Sequence, residues 1–172
     1  AESHYRNALA ATPNDNFLQV AYADFLLDRG RPAEVLPLLA RSLQSDTAYL
    51  RVALAHAALG MPDTANYTRI MAARFEALKQ RGDDFYGREQ VRFALYLQHD
   101  PGTALELALQ NWKVQRAPWD ARVLLEAAKA AGRPAAASEA LAFVAQTHLQ
   151  DPLIEPLAAE LRSQRHTTEA RR

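Results

Sequence analysis

The chain has 172 residues, 20 basic and 20 acidic side chains, no cysteine, and 49% hydrophobic residues. Such a length can bury a sizeable core, while zero formal charge argues against nucleic-acid binding through a broad basic face. The absence of thiols excludes a disulfide framework, a thiolate zinc site and a cysteine nucleophile, and no run of about 18 apolar residues offers a membrane span.

Alanine (35) and leucine (24) far outnumber valine (7) and isoleucine (2). Ala and Leu lose little rotamer freedom in a helix, whereas β-branched residues favour strands; an all-α protein is expected. Taken in order, the predicted helices lie near 1–11, 15–29, 32–45, 47–60, 62–81, 84–99, 101–116, 118–131, 134–149 and 152–164. The breaks between them form two interleaved series. Gly30-Arg31-Pro32, Gly60-Met61-Pro62, Asp100-Pro101-Gly102 and Gly132-Arg133-Pro134 read as tight turns within helical hairpins, with Gly past one helix and Pro opening the next. Thr12-Pro13-Asn14-Asp15, Ser45-Asp46-Thr47, Arg81-Gly82-Asp83-Asp84, Ala117-Pro118 and Asp151-Pro152 alternate with them and supply caps for the following helices. Phe17, Val20, Ala21 and Leu27 recur at helical steps, as do Leu105, Ala108, Leu109 and Trp112. Residues 165–172 lack apolar periodicity and are expected to form a solvated basic tail after a domain spanning 1–164.

Gly30-Arg31-Pro32-Ala33 recurs as Gly132-Arg133-Pro134-Ala135, an offset of 102 residues, or three times 34. In the first full unit Tyr22-Ala23 is a large–small pair, followed by Leu26, the turn at Gly30, Leu39, and the small Ser42 before Leu43. Phe93-Ala94 with Leu97 is the same pair later in the chain. On these residues the chain resembles the tetratricopeptide repeat family, whose unit is a 34-residue helix pair. The resemblance implies a right-handed α-solenoid of about five hairpins. Tyr5, Ala8, Leu9 and Pro13 match only the second half of a unit, so either a preceding helix is expected upstream or this helix acts as an N-terminal cap. The middle departs from the 34-residue period, and Leu124-Leu125 lacks the small member of the pair. Ala8, Ala23, Ala57 and Ala94 fall where the family's helices approach closely. Residues 21–35 and 88–116 more narrowly resemble a group of exported bacterial tetratricopeptide proteins, which implies a periplasmic or envelope setting, with the cytoplasm as the alternative.

No motif points to catalysis. The five histidines at 4, 56, 99, 148 and 166 show no ligand spacing, and the expectation is no metal and no cofactor. Asp83-Asp84 is placed to cap a helix, whereas Asp24 and Asp28 stand one turn apart on a helix expected to expose them. Tyr5, Tyr22, Phe25, Phe75, Phe93, Tyr96, Trp112 and Phe143 fit core stripes, while Trp119, next to Pro118, is either an exposed anchor or packed on the preceding hairpin.

The resemblance directs the first helix of each hairpin to a concave groove. It implies a candidate partner-binding surface of Phe17, Asp24 and Asp28, then Arg51, then Arg88 and Gln98, then Trp119, Arg122, Glu126 and Lys129. Arg51, Arg88 and Arg122 are placed either to grip an acidic peptide through bidentate contacts or to pair with the neighbouring Asp24, Glu89 and Glu126. The asparagines of the family's carboxylate clamp are missing. The expected function is a non-catalytic protein- or peptide-binding scaffold. The alternative is a structural or oligomerising segment of a larger exported protein, self-associating through terminal helices such as the one bearing Leu153, Ile154, Leu157 and Leu161.

Overall fold

The structure is a computed structural model that describes residues 2–82 and 87–169, with side chains through 164. Among the described residues all regular structure is helical. Ten α-helices occur in order: α1 Glu2–Ala11, α2 Asn16–Asp28, α3 Pro32–Leu39, α4 Asp46–Ala58, α5 Thr64–Gln80, α6 Gly87–Tyr96, α7 Pro101–Val114, α8 Pro118–Ala130, α9 Ser138–Gln146 and α10 Ile154–Glu169. Each corresponds to one of the ten segments expected from sequence. Two of them differ in extent. The helix expected to reach residue 45 stops at Leu39, with Pro37 inside its last turn. Successive turns follow it, closed by Ser42 N–H to Leu39 O (2.9 Å) and Ser45 N–H to Ser42 O (3.0 Å). The segment opening at Pro134 begins as a 3-10 turn, Pro134–Ala137, and becomes α-helical only at Ser138. Helix α10 continues to Glu169; residues 170–172 lie outside the described residues, as do Asp83 and Asp84, to which a capping role was assigned.

Three of the four tight turns form on a left-handed glycine; in the fourth, His99 (φ 55°) takes that conformation and Gly102 lies inside α7. Gly30, Gly60 and Gly132 all have φ between +63° and +67°, the left-handed residue that ends a helix. At each, the following N–H reaches back to a carbonyl of the helix just ended, as Arg31 N–H does to Leu26 O at 2.9 Å. Side-chain caps start several helices, with Asp15 accepting from Leu18 N–H at 3.0 Å and Asp100 from Thr103 N–H at 3.0 Å.

The chain divides into two compact units, residues 1–83 and 84–172. In the first, α2 packs on α3 and α4, α3 on α4, and α4 on α5. Helix α4 is its centre: every residue from Ala48 to His56 is buried. Tyr22, Ala23, Leu26, Val35, Leu39, Ala48, Val52 and Ala55 form one apolar cluster, with Tyr5 and Leu9 of α1 against it. In the second unit α8 is central, touching α6, α7, α9 and α10. Its core joins Val91, Leu105, Trp112, Leu124 and Leu125 to Ile154, Ala158 and Leu161 of α10. Ala23 and Ala94 are buried, whereas Ala8 and Ala57 are only half-buried, and Ala53 and Ala55 lie in the interior of α4.

Candidate functional site

The candidate residues of the first unit separate into an interior pair and two surface positions. Asp24 of α2 and Arg51 of α4 face each other inside the unit, so Asp24 is buried where sequence placed it on an exposed face. Arg51 Nη2 donates to Asp24 Oδ2 at 2.7 Å and Nε donates to Oδ1 at 3.0 Å, a bidentate pair, while Nη1 donates to Thr47 O at 3.3 Å. Phe17, in the first turn of α2, is 82% exposed, and Asp28 ends the same helix, half-buried.

In the second unit, Trp119, Arg122, Glu126 and Lys129 recur at three- and four-residue steps and share one face of α8. Arg122 Nε donates to Glu126 Oε1 at 2.7 Å. Two guanidinium groups lie near the Trp119 ring, Arg122 at 4.7 Å and Arg92 of α6 at 5.5 Å from its centroid. Trp119 is half-buried, with Arg92 of α6 against it, and does not stand out as an anchor. Lys129 Nζ reaches across to Glu160 of α10 at 2.6 Å. Arg88 lies in the first turn of α6, 3.9 Å from Glu89. Gln98 is exposed just past the end of α6, its N–H bonded to Phe93 O at 3.1 Å. All three arginines named from sequence therefore lie against the neighbouring acids named as their alternative partners.

A cleft of about 600 Å³ opens between α6, α8 and α10. Leu95, Ala130, Leu153, Pro156 and Leu157 make its apolar lining; Tyr96, Arg122, Glu126, Lys129 and Glu160 supply the polar groups. Burial of the Tyr96 phenol, reinforced by the Glu126 carboxylate to which it is hydrogen-bonded, pushes its pKa well above the usual tyrosine range. That phenol therefore acts as a hydrogen-bond donor at any ordinary pH. The Lys129–Glu160 pair spans the cleft with both side chains nearly half exposed.

Sequence brought Arg122, Glu126 and Lys129 to this site but missed its second wall. Glu160 and Pro156 carried no signal, and Leu153 and Leu157 were noted only as the apolar face of a terminal helix. Helix α10 in fact divides those residues. Ile154 and Leu161 enter the core at 1% and 0% exposure, while Leu153 and Leu157 line the cleft. Among the described residues, no group of three or more His, Asp or Glu could hold a metal ion, and no helix is long and apolar enough to cross a membrane. No protein-family model, curated protein or solved structure matches this chain.

Proposed function

We propose that this chain is a non-catalytic protein- or peptide-binding scaffold, built as a tetratricopeptide-like right-handed α-solenoid of helical hairpins, and that a partner segment docks in the cleft of the second unit. The cleft itself carries the proposal. Its volume, about 600 Å³, is within the usual range for ligand pockets, and its lining combines apolar side chains with groups of both charges. Within each unit consecutive helices pack on one another, and α2 packs also on α4, α6 on α8, and α8 on α10; this supports the hairpin stack. The cleft lies on α6 and α8, the first helices of two successive hairpins.

Different charges in the molecule would yield to a ligand at very different cost. Asp24 and Arg51 are desolvated together, and separating them leaves a buried charge. Lys129 and Glu160 are half solvated, and pairs of that kind contribute only about 0–1 kcal/mol. A ligand carboxylate can therefore replace Glu160 on Lys129 at little cost, with an apolar side chain seated against Leu153 and Leu157. Of the two roles open to the three arginines, the acidic-peptide grip is kept only for this end of α8, through Lys129.

Selection from a random-sequence peptide library, followed by anisotropy titration of the winners, tests the proposal. Winners should carry an acidic residue beside an apolar one and lose about tenfold or more in affinity to Lys129→Glu and to Leu157→Glu, as expected for removal of a charge contact or an apolar anchor. Winners whose affinity is unchanged by both substitutions, or the absence of winners, would overturn it.

A further inference from the structure

Helix α1 buries none of its residues completely, yet its contacts with α2 and the following turn are specific. Glu2 Oε1 accepts from the Tyr22 hydroxyl at 3.0 Å. The Arg31 guanidinium donates to both of its oxygens, Nη1 to Oε2 at 2.8 Å and Nη2 to Oε1 at 3.0 Å. The Tyr5 ring stacks on Tyr22 at 5.3 Å and lies 5.5 Å from Phe25, and Leu9 rests on the apolar cluster beneath. Glu2, Tyr5 and Leu9 stand at i, i+3 and i+7, one face of a helix. Tyr22, Phe25 and Arg31 thus read three features of a docked helix: a carboxylate, an aromatic ring one turn later, and an apolar residue beyond it.

We infer that this face of α2 and its turn is a receptor for an amphipathic partner helix bearing a carboxylate three residues before an aromatic, and that α1 is its intramolecular occupant, an autoinhibitory arm that such a helix displaces. Two features make α1 displaceable. Arg31 is shared between Glu2 and Glu34, to which its Nε and Nη2 donate at 2.6 and 2.7 Å, so the guanidinium keeps a counter-charge when Glu2 leaves. Helix α2 is also capped without help from α1, since Asp15 satisfies Leu18 N–H. The exposed residues 12–15 join α1 to α2. Tethering over so short a connection gives α1 an effective concentration on the order of 1 mM, which excludes helices that bind weakly.

A labelled peptide with the sequence of residues 1–11 serves as the probe, titrated by anisotropy against the full chain. Glu2→Ala/Tyr5→Ala weakens the arm and leaves the receptor intact, so the peptide should bind this variant at least about tenfold more tightly than wild type, the equivalent of one charge-assisted contact. Adding Arg31→Met should return the affinity to the wild-type level. Glu2→Gln alone, which preserves the ring contacts, should give a smaller gain, and it decides the question if the double variant fails to fold. In wild type, amides of α1 should exchange faster than those of α2 to α4. Equal peptide affinity for wild type and both arm variants, insensitivity to Arg31→Met, or exchange of α1 only together with α2 to α4 would overturn the inference.

Discussion

Removing the charge of Arg51 while keeping its aliphatic stem, as in Arg51→Met, tests the central polar contact of the first unit. The Arg51 side chain is 5% exposed and that of Asp24 11%, with the two joined at 2.7 and 3.0 Å. For unit charges about 4 Å apart at an effective dielectric of about 20, the attraction is about 4 kcal/mol. That agrees with the roughly 3–5 kcal/mol lost when one partner of a buried pair is removed and the other charge remains. The single substitution is expected to cost about 3 kcal/mol, a large share of the stability of an ordinary domain. Asp24→Leu/Arg51→Met removes both charges and fills the space, so it should recover most of the loss, with a coupling of about 2 kcal/mol or more. Hydrogen exchange at α2 and α4 amides reports the opening of this unit directly. A single substitution costing less than about 1 kcal/mol, or a double one as damaging as the single, would refute the buried-charge reasoning.

The remaining predictions concern three other sites. A Cβ at Gly87 would overlap Asn111 Oδ1, and Asn111 Nδ2 donates to the buried Asp120 at 2.9 Å; Gly87→Ala should therefore cost about 1–3 kcal/mol in urea unfolding, partly relieved by Asn111→Ala. Hydrogen bonds from Arg31, then Arg6 and Tyr22, hold the Glu2 carboxyl at about 2, below its usual 4.5. A depressed carboxylate stabilises fully above pH 4.5 and loses its contribution as pH falls from 4.5 towards 2. Protection of the α1 amides should fall across that window in wild type and stay flat in Glu2→Gln. Replacing Trp119 with Leu deletes its contacts with Arg92 and Arg122 and should cost about 1–2 kcal/mol by denaturant midpoint; no loss would mean that the two guanidiniums do not hold the ring.

The helices were legible in the sequence because their determinants are local. Ala and Leu content, three- and four-residue apolar steps, Asp15 and Asp100 as caps, and Gly30, Gly60 and Gly132 as left-handed termini all act within a few residues. Of the four alanines that the resemblance named, Ala23 and Ala94 are buried while Ala8 and Ala57 are only half-buried. The extents of α3 and α9 were less legible, since the turns that follow α3 and the 3-10 turn at Pro134 alter hydrogen bonding without disturbing the apolar pattern.

The polar pairs were legible only as alternatives. Glu89 and Glu126 sit within one helical turn of Arg88 and Arg122, so sequence could name those neighbours. Asp24 meets Arg51 27 residues away, Glu2 meets Arg31 29 away, and Lys129 meets Glu160 31 away. Each of these joins parts of the chain that meet only when the helices pack, and no local rule states which acid will then face which base. The same holds for the cleft. By itself the sequence determined ten helices, their turns and the charged stripe along α8. Tertiary packing decided that Asp24 is buried, that Arg92 and Arg122 both lie near the Trp119 ring, and that Leu153 and Leu157 border a cleft while Ile154 and Leu161 do not. Burial depends on which face of a helix its neighbours cover, and that is set by contacts between residues far apart in the chain.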